Sequence, residues 1–174
     1  YGSPLFHGDL RLRHVSIVTR LYRMFRQASQ YNQPMPACDT SNVLDLFELF
    51  HPSRSFNPEI SGWDTSQVTT MQYIFVRAES FNQNIGYWNT SKIVDMYRMV
   101  YNAFSFNKSI DTWDTSSVTT MQEMFYGAVN FNTDASSLDT SQVENLHRMF
   151  DGTSKDNGSN TGWNTEASTH IKQQ

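Results

Sequence analysis

Six apolar residues stand 25 positions apart without a slip: Val18, Val43, Val68, Ile93, Val118 and Val143. Phe25, Phe50, Phe75, Phe125 and Phe150 keep the same step, with Val100 in the remaining slot. So do Asn32, Asn57, Asn82, Asn107, Asn132 and Asn157, and the row Thr40, Thr65, Thr90, Thr115, Thr140 and Thr165. A fixed period of about 20–50 residues marks an array in which each unit packs only on its neighbours. The repeat therefore predicts a solenoid. It also moves the functional expectation from catalysis toward binding and scaffolding.

One unit shows what each coil is expected to contain. Between Ile60 and Asn84 the apolar residues Val68, Met71, Ile74, Phe75 and Ala78 are spaced 3, 3, 1 and 3, which reads as one face of a helix. Asp64, Thr65 and Ser66 precede it as candidate caps. Ser80, Asn82 and Asn84 end it in a turn. The stretch from Ile60 to Trp63 reads as a brief extended segment, repeated at Met35–Cys38, Ile85–Trp88, Ile110–Trp113 and Ala135–Leu138. The expected fold class is an α/β solenoid: a leucine-rich-repeat-like array of about six coils, each a short strand plus a helix. Residues 1–14 read as an N-terminal half coil or cap, 15–150 as the array, and 151–174 as a degenerate polar capping coil and tail.

The polar rows have a structural reading first. A buried Asn must satisfy its amide, and a ladder of them bonds the backbone of its own turn and of the next coil. The row Asp39, Asp64, Asn89, Asp114, Asp139 and Asn164 reads as helix caps. One carboxylate per coil offers too few oxygens for a row of calcium sites. Cys38 occupies the slot of Trp63, Trp88, Trp113 and Trp163, so it reads as an apolar filler and not a reactive thiol.

Several function classes lose support. The formal net charge of −4 lacks the basic balance of a nucleic-acid binder. No run of about 18 apolar residues predicts a membrane-spanning helix. His7, His14, His51, His147 and His170 sit in unrelated slots, and no metal-binding, phosphate-binding or nucleophile-elbow motif occurs. The expectation is a chain with no catalytic residues, no metal and no cofactor. Asn89, Asn107 and Asn157 stand in N-x-S/T sequons, of which Asn157 is the plausible glycan acceptor in a secreted eukaryotic protein. Thr69-Thr70 and Thr119-Thr120 recur only in alternate coils, so there is no continuous threonine lattice for ice.

The segment Trp113 to Asn132 closely resembles the BspA-like surface-protein repeat, with its W-D-T-S-x-V-x-x-M-x-x-M-F-x-x-A-x-x-F-N pattern. Trp63 to Asn82 matches almost as well, and the resemblance spans roughly residues 14 to 165. Leu138, Val100 and the last coil depart from it. That repeat is a relative of the leucine-rich repeat. The resemblance implies a surface or secreted protein with a role in adhesion or protein binding, and no enzymatic activity.

The candidate partner site lies where coils differ. In the fourth helix Tyr97, Tyr101 and Phe104 are spaced i, i+4 and i+7, beside the core face. Val76 and Tyr126 share the slot of Tyr101, and Val129 that of Phe104. These six residues predict an apolar patch on the helical side that docks a protein partner, with neither nucleic acid nor membrane insertion involved. The expected location is the cell surface or the secreted fraction. The alternative is a structural subunit built permanently into a larger complex, for instance an organellar one in an alga, in an organelle lumen or at a membrane periphery.

Overall fold

The computed structural model describes residues 18–25, 32, 34–35 and 38–153. The proposed half coil at 1–14, the Asn157 sequon and all but residues 151–153 of the proposed capping coil lie outside them. The chain winds in stacked coils, with isolated parallel bridges joining Arg20 to Asp45, Asp45 to Thr70, Thr70 to Asp95, Asp95 to Thr120 and Thr120 to Asn145. Each bridge steps 25 residues, so the coils sit in register.

The expected α/β solenoid with a strand and a helix in every coil is overturned. Among the described residues there is no helix, and no strand longer than an isolated bridge. The segment read as a helix is a run of turns. Ile74, Val76 and Ala78 donate their N–H groups three residues back, to Met71, Tyr73 and Phe75. The N–H groups between them leave the coil: Met71, Tyr73, Phe75 and Arg77 donate to the carbonyls of Asp95, Tyr97, Met99 and Tyr101 at 3.1, 3.0, 2.9 and 2.8 Å. A helix would have sent every one of these donors four residues back along its own axis. Here alternate donors bind the neighbouring coil, so backbone satisfaction and coil stacking are one network.

Left-handed backbone makes that alternation possible. Tyr73 has φ 59° and Arg77 φ 56°. The first slot repeats at Arg23, Glu48, Arg98, Glu123 and Arg148, and the second at Asn102, Gly127 and Gly152. Most of these residues carry a Cβ, which costs about 1–2 kcal/mol in this region. The hydrogen bonds between coils hold them there.

The expected strand segments are turns as well. Trp63, Trp88, Trp113 and Leu138 donate back to Ile60, Ile85, Ile110 and Ala135. The bridges form instead just after the Val column, inside the stretch read as helix.

Side chains pointing inward form columns along the stack. Val43, Val68, Ile93, Val118 and Val143 are at most 1% exposed, and Met71, Met96 and Met121 are fully buried. Phe50 stacks on Phe75 at 5.7 Å, while Phe56, Phe81, Phe106 and Phe131 follow one another at 6.1, 5.9 and 5.9 Å. The two columns meet face to face, with Phe75 and Phe81 at 3.8 Å. Trp63, Trp88 and Trp113 are buried as well and donate Nε1–H to Met35, Ile60 and Ile85 carbonyls of the preceding coil. Cys38, at the head of that column, is half-buried, and burial pushes its thiol above the ordinary value.

The polar rows bind between and within coils. Buried Thr40, Thr65, Thr90 and Thr115 each donate to a carbonyl of the next coil at 2.9 Å. The amide oxygens of Asn32, Asn57, Asn82 and Asn107 accept the N–H of the following Asn at 2.9–3.0 Å. This ladder is partly exposed, not buried as expected.

The Asp39 row closes Asx turns, since no helix is present to cap. Asp39, Asp64, Asn89, Asp114 and Asp139 accept the backbone N–H two residues on, from Ser41, Ser66, Ser91, Ser116 and Ser141. The serine hydrogen bonds hold the carboxyls of Asp64, Asp114 and Asp139 below the ordinary range. A carboxyl lowered in the folded chain adds stability above its unfolded value and loses it as pH falls through the folded one. The urea midpoint should therefore drop on acidification, beginning near about pH 4 and continuing below it. Combined Ser66→Ala, Ser116→Ala and Ser141→Ala should flatten that slope. A midpoint unchanged between neutral pH and about pH 3 would contradict the assignment.

Candidate functional site

The outer surface of the turn run carries three adjacent rows. The left-handed slot supplies Arg23, Glu48, Tyr73, Arg98, Glu123 and Arg148. The slot before it supplies Tyr22, Phe47, Gln72, Tyr97, Gln122 and His147. Three residues beyond the left-handed slot stand His51, Val76, Tyr101, Tyr126 and Asp151. The first row is exposed at Arg23, half-buried at Glu48, Tyr73, Arg98 and Arg148, and buried at Glu123.

Charges on this surface are paired, three times between neighbouring coils and once within a coil. Arg23 Nε lies 2.6 Å from Glu48, and Arg98 Nε lies 2.7 Å from Glu123. Arg54 pairs with Glu79 at 3.2 Å, and Arg148 with Asp151 at 2.7 Å. The guanidiniums also cover rings. Arg98 sits 5.0 Å from the centroids of both Tyr97 and Tyr101. Arg148 sits 4.5 Å from Tyr126 and donates Nη2–H to its phenol oxygen at 3.0 Å. Cation–ring contacts of this kind contribute about 0.5–1 kcal/mol at exposed sites.

The six residues expected to form the patch do not all come together. Tyr101 and Tyr126 come together as a stack, 4.8 Å between centroids and 13° between planes. Phe104 and Val129 share the next exposed row beyond them, at 39% and 43% exposure. Val76 is buried at 5%, so it backs the patch and offers no surface. Tyr97 turns to Tyr73, edge to face at 5.0 Å. Burial and a hydrogen bond to Tyr97 push the Tyr73 phenol up to about 12. The expected helical face does not exist, and the patch rests on turns.

Sequence reasoning passed over Arg98, Glu123 and Arg148, which fix the tyrosines. The alternation of Arg and Glu in their slot was the available signal. It also passed over Arg77. Arg77 is exposed, donates its N–H to the Tyr101 carbonyl, and makes no ion pair among the described residues. Its slot changes character along the stack. A Cβ on Gly127 would overlap the Asn102 side-chain amide, so Asn102 lies over that glycine. Gly152 follows, exposed and with φ 76°. The rim beside Tyr126 is thus the Asn102 amide lying over Gly127, and bare backbone is exposed only at Gly152.

Among the described residues no group of three or more His, Cys, Asp or Glu side chains could hold a metal ion, and no helix is long and apolar enough to cross a membrane. A family model described as Mycoplasma protein of unknown function, DUF285, matches residues 3–109 and 81–174. No curated protein and no solved structure matches the chain.

Proposed function

The chain belongs to the DUF285 family, and on that premise we propose that it is a non-catalytic protein-binding module. The family relates to BspA-like surface repeats, the resemblance already drawn from Trp113 to Asn132, and a surface or secreted role in adhesion fits that relation. The observation that carries the reading is the corner formed by Tyr101, Tyr126, Phe104 and Val129. Its rings are clamped by guanidiniums, so little side-chain entropy remains to be lost on docking. Both tyrosines are half-buried, and tyrosines held this way are favoured anchors of protein interfaces.

The test retrieves partners from the source's own medium on the immobilised chain, with quantification by mass spectrometry. A Tyr101→Ala, Tyr126→Ala variant should lose a protein that the unaltered chain retains. Loss of one anchoring tyrosine typically costs about 2 kcal/mol, or roughly 30-fold in affinity. Equal retention by both chains would refute the reading.

A second reading is a subunit built permanently into a larger complex. It draws on Leu44, Val94 and Tyr87, which are 42%, 44% and 80% exposed on other rows of the coil. Sedimentation of the isolated chain separates the two. A soluble monomer counts against a permanent subunit.

A further inference from the structure

We propose that the Tyr101 corner takes an extended peptide in which apolar and acidic side chains lie side by side. The inference rests on the protein-binding reading and adds the partner's chemistry. Its ground is the charge left over at the corner. Three arginines nearby are already neutralised: Arg54 by Glu79, Arg98 by Glu123 and Arg148 by Asp151. Arg77 is not. It stands exposed on the coil before Tyr101, joined to it by the 2.8 Å backbone hydrogen bond. The corner thus presents one uncompensated positive charge beside an apolar surface, and a carboxylate complements it.

The shape of the rim sets the direction of the chain that fits. Toward the sixth coil the Arg77 slot passes to the uncharged Asn102, whose amide lies over Gly127, and then to the exposed Gly152, so the side of the corner holding Tyr126 and Val129 offers no second cation and takes the apolar side chain. Toward the third coil it rises to Arg77, where the carboxylate sits. The acidic row of Asp39, Asp64, Asp114 and Asp139 is exposed elsewhere on the coils. It repels the same peptide and restricts it to the corner.

The test uses fluorescence polarisation of the full chain with three labelled synthetic peptides. In one, Phe and Glu alternate; in the others Gln or Lys replaces Glu. The Glu peptide should bind about fivefold more tightly than the Gln peptide, the effect of one partly exposed ion pair. Added salt should narrow that gap. Arg77→Gly should abolish the preference while keeping the Phe-driven binding, and Arg77→Glu should shift it toward the Lys peptide. Tyr101→Ala should weaken all three. Equal binding of the three peptides, a preference that survives Arg77→Gly, or no binding of the Glu peptide overturns the inference. In the first two cases a loss on Tyr101→Ala leaves the protein-binding reading standing. Binding indifferent to Tyr101→Ala removes that reading by itself.

Discussion

Phe81→Ala should lower the free energy of unfolding by about 3–5 kcal/mol, read from urea denaturation followed by tryptophan fluorescence. Phe81 is fully buried. It lies between Phe56 and Phe106 in its own column and 3.8 Å from Phe75 in the next. Truncation leaves a cavity that its neighbours cannot fill, because their backbones are held by hydrogen bonds to the adjoining coils. Phe75, for one, donates its N–H to Met99 at 2.9 Å. A stack held by nearest-neighbour contacts gives the substitution a second signature. The coils before and after the third lose their coupling, so the transition should broaden and its slope fall. A shift below about 1 kcal/mol, the range of surface substitutions, would mean that the columns are not packed as described.

Arg77→Pro and Arg77→Gly should move stability in opposite directions. Proline locks φ near −65° and removes the N–H. Arg77 has φ 56° and uses that N–H to reach Tyr101 at 2.8 Å. The cost should be about 3 kcal/mol or more. Glycine adopts positive φ freely and keeps the donor. Arg77→Gly should therefore stabilise the chain by about 0.5–1 kcal/mol, the strain relief less the added unfolded-state entropy. In a helix the same glycine would cost about 1 kcal/mol. The sign of this one substitution, measured by denaturant midpoint, decides between turns and helix.

The 25-residue step told which side chains share a column, and no residue type had to be guessed for that. What the step did not reveal was the path of the backbone between columns. A spacing of 3, 3, 1 and 3 fits a helical face, and it also fits successive three-residue turns that leave the coil at alternate donors. The distinguishing mark is positive φ at Arg23, Glu48, Tyr73, Arg98, Glu123 and Arg148. None of these is a glycine, so composition carried no warning there. Gly127 and Gly152 occupy the companion slot and were the only such hint.

The candidate site was legible in the same partial way. The slot pattern paired Tyr101 with Tyr126 and placed Phe104 with Val129. The assumed helix misdirected Val76, which faces inward, and Tyr97, which meets Tyr73. The clamping arginines stand in the slot of left-handed backbone, and it is from there that they cover the rings.

Among the described residues each repeated row of bonds between coils spans a fixed offset: 25 for the asparagine rungs, 24 for the threonines and 28 for the indoles. Such a lattice tolerates whole units and nothing else. Duplicating one unit adds a further rung of about 5 Å and leaves every existing rung intact. Inserting a single amino acid inside a unit breaks the rungs on both of its sides together. A gene for this chain thus changes the reach of its product by counted increments, and the molecule behaves as a ruler whose graduations are set by backbone chemistry.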